Sequence, residues 1–100
     1  MQVGDIVKDK TNNRRAIVFV PYDEEAEMTL IIYTDMDKEL DPVFYVSPSD
    51  LSYIESPTFN DIEKLIETRT NYKKDIFRRY EEEEWDYETA IKHLKFYGIL

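Results

Sequence analysis

The side chains best suited to chemistry in this sequence are carboxylates, and they are unevenly spaced. Residues 81–88 read Glu81, Glu82, Glu83, Glu84, Trp85, Asp86, Tyr87, Glu88, six acids around two large aromatic rings. Carboxylates at this density present phosphate-like charge, while Trp85 and Tyr87 offer apolar anchors that bury well against a partner. The pattern suits docking onto the basic surface of a protein better than it suits bond-making. A second run, Asp23, Glu24, Glu25 and Glu27, fills four of five positions and is a candidate for the same kind of contact. The plain alternative is a solvated, charged helix corner, with Trp85 plugging the junction between a barrel and the helix.

Other chemistries fail on spacing. Asp35, Asp37, Glu39 and Asp41 alternate as at the start of a calcium loop, but Leu40 and Val46 stand where that loop needs glycine and glutamate. They read as a solvated acidic loop. His93 is the only histidine and cysteine is absent, which leaves no zinc or copper ligand set and no thiol nucleophile. No Gly-x-Ser-x-Gly elbow presents a serine to His93, which reads as a rim residue. Two glycines cannot build a phosphate-cradling loop. The expectation is a non-enzymatic protein with no catalytic residue, metal site or cofactor.

Net charge is −9, from 22 acids and 13 bases, so direct binding to nucleic acid is disfavoured. Arg69, Lys73, Lys74, Arg78 and Arg79 do fall on one helix. Asp75–Arg79 and Arg78–Glu82 are spaced as i,i+4 ion pairs, however, and residues 81–84 beyond them would repel phosphate. That helix face reads as solvated. No apolar run approaches the roughly 20 residues of a membrane span. The N-terminus lacks the basic and apolar blocks of a signal peptide, so a cytoplasmic location is expected.

The elements that must position these groups follow from periodicity. Runs 16–20 and 28–33 are short, β-branched and aromatic, bounded by charge or proline, and read as a strand hairpin. Ile17 and Phe19 point one way; Ala16, Val18 and Val20 point the other. Both sets are apolar, so the sheet needs cover on both faces. Further strands are expected after Gly4, at 43–46 and at 52–54, with a single 3₁₀ turn over 47–51. Thr58 or Asn60 caps a long helix over 59–84, with Ile62, Leu65, Ile66, Tyr72, Ile76 and Tyr80 as its apolar face. At ~100° per residue Trp85 falls opposite Ile76, so the chain should redirect near 84–86. Asp86 then caps a second helix with Tyr87, Ile91 and Leu94 on one face, and Gly98 closes it.

Five short strands in 54 residues, with a one-turn helix between the last two, resemble the layout of an SH3-like small barrel. Gly4-Asp5-Ile6-Val7 is similar to the first strand of many bacterial members. Val46-Ser-Pro-Ser-Asp-Leu-Ser-Tyr-Ile54 resembles the closing Pro-Ser-Asn-Tyr-Val of eukaryotic ones. The Ala-Leu-Tyr-Asp-Tyr segment and the tryptophan pair of the peptide-binding members are missing, so the resemblance implies a fold and not proline-peptide binding. The expected architecture is α+β: a five-stranded antiparallel SH3-like barrel over 1–55, then a helical hairpin over 56–100 packed on it as one compact unit. In profile (small, acidic, aromatic-rich, without catalytic motifs) the chain looks like phage-encoded anti-defence proteins, DNA-mimicking anti-CRISPRs included. That likeness implies an inhibitor or regulator that occupies a basic, nucleic-acid-binding site on its target. The alternative is a nucleic-acid- or ribosome-associated adaptor using Lys8, Lys10, Arg14 and Arg15.

Overall fold

The computed structural model describes residues 1–35 and 43–100. In chain order the elements are β1 (Ile6–Asp9), β2 (Arg14–Asp23), β3 (Met28–Tyr33), β4 (Val43–Val46), a 3₁₀ turn (Pro48–Asp50), β5 (Leu51–Glu55), α1 (Phe59–Glu81) and α2 (Tyr87–Phe96). The class is α+β: one five-stranded antiparallel sheet, ordered β4-β3-β2-β1-β5, and two C-terminal helices. Two units are separately compact, Met1–Leu65 and Ile66–Leu100.

The sheet is not the closed barrel that was expected. β4 and β5 are its two edges, and no ladder joins them among the described residues. They are nonetheless tethered closely. From Val46 to Leu51 the chain reaches at most about 18 Å, whereas four flat inter-strand spacings need about 19 Å. The sheet must therefore curl, and β2 provides the bend. Its register against β3 slips between Val18 and Val20 and again between Val20 and Asp23. Each extra residue bends a strand, and Pro21, which has no N–H to offer a ladder, sits within the second slip. The 3₁₀ turn runs directly into β5. Leu51 is its C-terminal cap and already pairs with Asp9 of β1.

Both faces of the sheet are buried, in keeping with the two apolar parities of its strands. Val7, Ala16, Val18, Ile31, Tyr33 and Leu51 form one cluster. Ile6, Ile17, Phe19, Leu30 and Ile32, of the other parity, are at most 1% exposed.

A buried carboxylate closes the turn between β1 and β2. Asp9 Oδ1 accepts from the Thr11 hydroxyl at 2.6 Å and its amide at 3.0 Å, and Oδ2 accepts from the Tyr33 hydroxyl at 2.7 Å. Asn12 Nδ2 donates in turn to the Tyr33 oxygen at 3.0 Å. Burial pushes the Asp9 carboxyl up, but the hydrogen bonds from Thr11 and Tyr33 outweigh it and hold it below its usual value. Its contribution to stability is thus complete above about pH 4 and is lost as pH falls through the lower folded value. Tyr33→Phe removes one donor to Asp9 and one acceptor for Asn12, and should cost about 1–3 kcal/mol in urea unfolding at neutral pH. The gap from the parent should narrow in acid. A Tyr33→Phe protein of parental stability would show that this network contributes nothing.

At the start of α1, Thr58 and Asp61 form a reciprocal cap. The Asp61 amide donates to Thr58 Oγ1 at 3.2 Å, and the Thr58 amide donates to Asp61 Oδ2 at 2.8 Å. Arg15 of β2 donates two hydrogen bonds to the same carboxylate, at 2.8 and 2.7 Å, and a third to Glu55 at 2.7 Å. Asp61 is consequently buried. Asp61, Leu65, Thr68 and Ile76 form the buried row at helical spacing. Ile62 and Ile66, expected inside, are 43% and 57% exposed, and Tyr80 is 44% exposed.

α1 stops at Glu81, short of the expected 84. Glu83 adopts φ 60°, and the Glu83 and Glu84 amides donate back to the Tyr80 and Arg79 carbonyls at 3.2 and 2.9 Å. This is the bonding of a left-handed helix cap, with glutamate where glycine is usual. Asp86 then caps α2, its Oδ1 accepting from the Thr89 amide at 2.8 Å, and Gly98 at φ 69° ends it. Within the helical unit Ile76, Ala90 and Leu94 form the core, with Trp85, Ile91, Tyr97 and Ile99 around them. Tyr72 stacks on Tyr97 at 4.5 Å. Tyr87, expected on the inward face, is 65% exposed: it is the first residue of α2, and the row it begins is buried only further along, at Ala90 and Leu94. No helix among the described residues is long and apolar enough to cross a membrane.

Candidate functional site

The turn between α1 and α2 draws most of the acidic aromatic segment around one opening. Tyr80, Glu81, Glu83, Trp85, Asp86 and Tyr87 line an open cleft of about 520 Å³. Tyr80 and Tyr87 meet edge to face, with centroids 6.3 Å apart and planes at 70°. Trp85 is braced from within its own unit. His93 stacks on it at 4.1 Å, and the Arg79 guanidinium lies 5.0 Å over its ring. His93 Nδ1 is 2.8 Å from the Thr89 carbonyl, which can only accept, so that nitrogen carries the proton. His93 thereby serves as a fixed brace for Trp85.

The carboxylates divide into spent and unspent. Glu82 pairs with Arg78 at 2.8 Å and Glu84 with Arg79 at 3.5 Å, while Asp75 holds both arginines at 2.8 and 2.9 Å. The i,i+4 pairs expected on α1 are therefore present, and Arg78 and Asp75 shift each other toward their charged forms by hydrogen bonding. Asp86 is held below the usual carboxylate range by its hydrogen bonds from Thr89. Glu81, Glu83 and Glu88 form no ion pair among the described residues and are exposed. Free negative charge thus sits at the mouth of an aromatic cleft, where it can attract a cation and offer it a ring face.

The second acidic set belongs to the sheet unit. Asp23 ends β2 and its Oδ1 accepts from the Glu25 amide at 3.1 Å, while Glu27 turns the chain at φ 56°. Glu24, Glu25 and Glu27 are exposed. The two acidic sets are carried by different units.

The basic residues behind the adaptor reading are largely committed. Arg14 lies 3.8 Å over the Tyr33 ring and grips Asp35 through two nitrogens, at 2.6 and 3.2 Å. Those hydrogen bonds raise Arg14 and lower Asp35. Arg15 is raised further by Asp61 and Glu55. Lys10 is exposed and Lys8 half-buried. Of the acidic run 35–41 only Asp35 is described, and it is paired with Arg14; Asp37, Glu39 and Asp41 lie outside the described residues. Among the described residues no group of three or more His, Asp or Glu could hold a metal ion.

Sequence reasoning missed Tyr80, which it placed on the buried face of α1. A signal existed. Counting the helix from a capping Asp61 that faces inward gives Leu65, Thr68, Tyr72 and Ile76 as the inner row and leaves Tyr80 on its flank. Comparison with protein-family models, with curated proteins and with solved structures returns no match.

Proposed function

We propose that this protein is a non-enzymatic inhibitor or regulator that docks its acidic aromatic corner into a basic, nucleic-acid-binding site on a protein target. Its action is cytoplasmic and of the phage anti-defence, anti-CRISPR-like kind. The cleft between Tyr80 and Tyr87 supports this reading most: exposed rings beside Glu81 and Glu83, whose charge is not spent on internal pairs. Acids steer encounter and buried aromatics hold the complex, a division that fits a competitor for a phosphate-binding surface. The adaptor reading is weakened by the internal pairing of Arg14 and Arg15. For the sheet unit we propose an SH3-like ancestry, supported by the strand order, with β5 returning beside β1, and by the 3₁₀ turn before β5.

The test uses a partner captured from nuclease-treated host lysate. Glu81→Gln with Glu83→Gln keeps size and helix propensity, so folding should survive. Association with the captured partner should slow about tenfold at low salt and the difference should shrink at high salt. Labelled DNA should compete for the partner and should not itself bind this protein. Equal association rates at low salt, or direct retention of labelled DNA or RNA, would overturn the proposal.

A further inference from the structure

This chain satisfies its arginines in a repeated way. Arg14 lies over the Tyr33 ring at 3.8 Å while its nitrogens grip Asp35. Arg79 lies over Trp85 at 5.0 Å while it holds Asp75 and Glu84. In both, a guanidinium takes an aromatic face and a carboxylate together, as a planar and weakly hydrated cation does better than an ammonium. The cleft at the α1–α2 turn has the same parts without the cation. Tyr80 and Tyr87 supply rings, Glu81 and Glu83 supply unpaired carboxylates, and Asp86 adds a third, exposed carboxylate. No arginine lines it. Arg78 and Arg79 hold Asp75, Glu82 and Glu84, and Arg69 lies against Gly98.

We infer that the Tyr80–Tyr87 cleft is a receptor for one arginine side chain of the basic partner. The inference rests on the docking reading above and specifies what the corner grips. Tyr87, 65% exposed, offers the guanidinium a ring face, and the carboxylates of Glu81, Glu83 and Asp86 receive its N–H donors. Shape and charge both select arginine. Lysine would bring the charge without the planar, multiple donors, and citrulline would bring the shape without the charge.

The probes are N-acetyl-arginine amide, its lysine and citrulline counterparts, and a deca-lysine peptide. Binding is read from the fluorescence of Trp85, the one tryptophan and a wall of the cleft, and from tyrosine ring proton shifts. Arginine amide should bind in the millimolar range, about threefold to tenfold tighter than lysine amide, and citrulline amide should give no shift. Tyr87→Ala should weaken arginine binding by a similar factor, Tyr87→Phe should retain it, and Glu81→Gln with Glu83→Gln should weaken it further. Tyr87 is exposed, so far-UV circular dichroism and melting should not change in Tyr87→Ala. Arginine amide that binds Tyr87→Ala as well as the parent overturns the receptor. So does deca-lysine binding in a salt-sensitive way while arginine amide produces no shift, a result that leaves the docking surface standing. Failure of every cationic probe overturns both.

Discussion

Arg15→Met is expected to lower the free energy of unfolding by about 3–5 kcal/mol at neutral pH, measured by urea denaturation. Methionine keeps most of the apolar stem, so the loss is chiefly that of the guanidinium. Two of its N–H groups bond the Asp61 carboxylate, whose side chain is only 7% exposed. Without them that charge stays buried with hydrogen bonds from Thr58 and no counter-charge on it. Asp61→Asn added to Arg15→Met should recover part of the loss, because the uncompensated charge is then gone. The pH dependence has a definite sign. Hydrogen bonds from Arg15, against burial, hold the Asp61 carboxyl far below its usual value. A carboxyl lowered in the folded state stabilises fully above its unfolded pKa of about 3.9, and that share is lost as pH falls through the folded value. The difference between parent and Arg15→Met should therefore shrink in strong acid. A variant as stable as the parent at pH 7 would show that β2 does not clamp the start of α1.

Leu30→Ala should cost about 2–5 kcal/mol, with the upper half expected. Leu30 is fully buried on β3, paired in register with Val20 on one side and Tyr45 on the other. Opposite it, β2 carries its register slips, and a strand already bent by bulges has little freedom to collapse into the space left behind. The informative companion is Ile66→Ala. Periodicity alone places Ile66 in the core of α1, where truncation would cost a similar amount. At 57% exposure it should instead change stability by no more than about 0.5 kcal/mol. Urea midpoints for the two variants measured together decide which face of α1 is inward. Equal, large losses would restore the unrotated helix, and a neutral Leu30→Ala would remove β3 from the core.

What could be read from the sequence was whatever nearby residues determine. The hydrophobic runs of β2, β3 and β4, the 3₁₀ turn, the reciprocal cap at Thr58 and Asp61, the Asp86 cap and the closing Gly98 each depend on side chains a few positions apart. Conformational preference, side-chain-to-backbone bonding and alternation all act over that range. The acidic aromatic character of residues 81–88 was legible for the same reason. What only the tertiary structure decided involves partners distant in sequence. Arg15 and Asp61 are 46 positions apart, and their ion pair buries a carboxylate at the start of α1. Asp9 and Tyr33, 24 apart, turn a polar loop residue into a buried carboxylate. Arg14 and Arg15 read as free cations until Asp35, Glu55 and Asp61 reach them. The open edge between β4 and β5 likewise depends on how far β2 bends. At the start of α1 the buried position goes to Asp61 with its counter-charge and not to Ile62, since leaving a buried charge unpaired costs more than exposing an isoleucine.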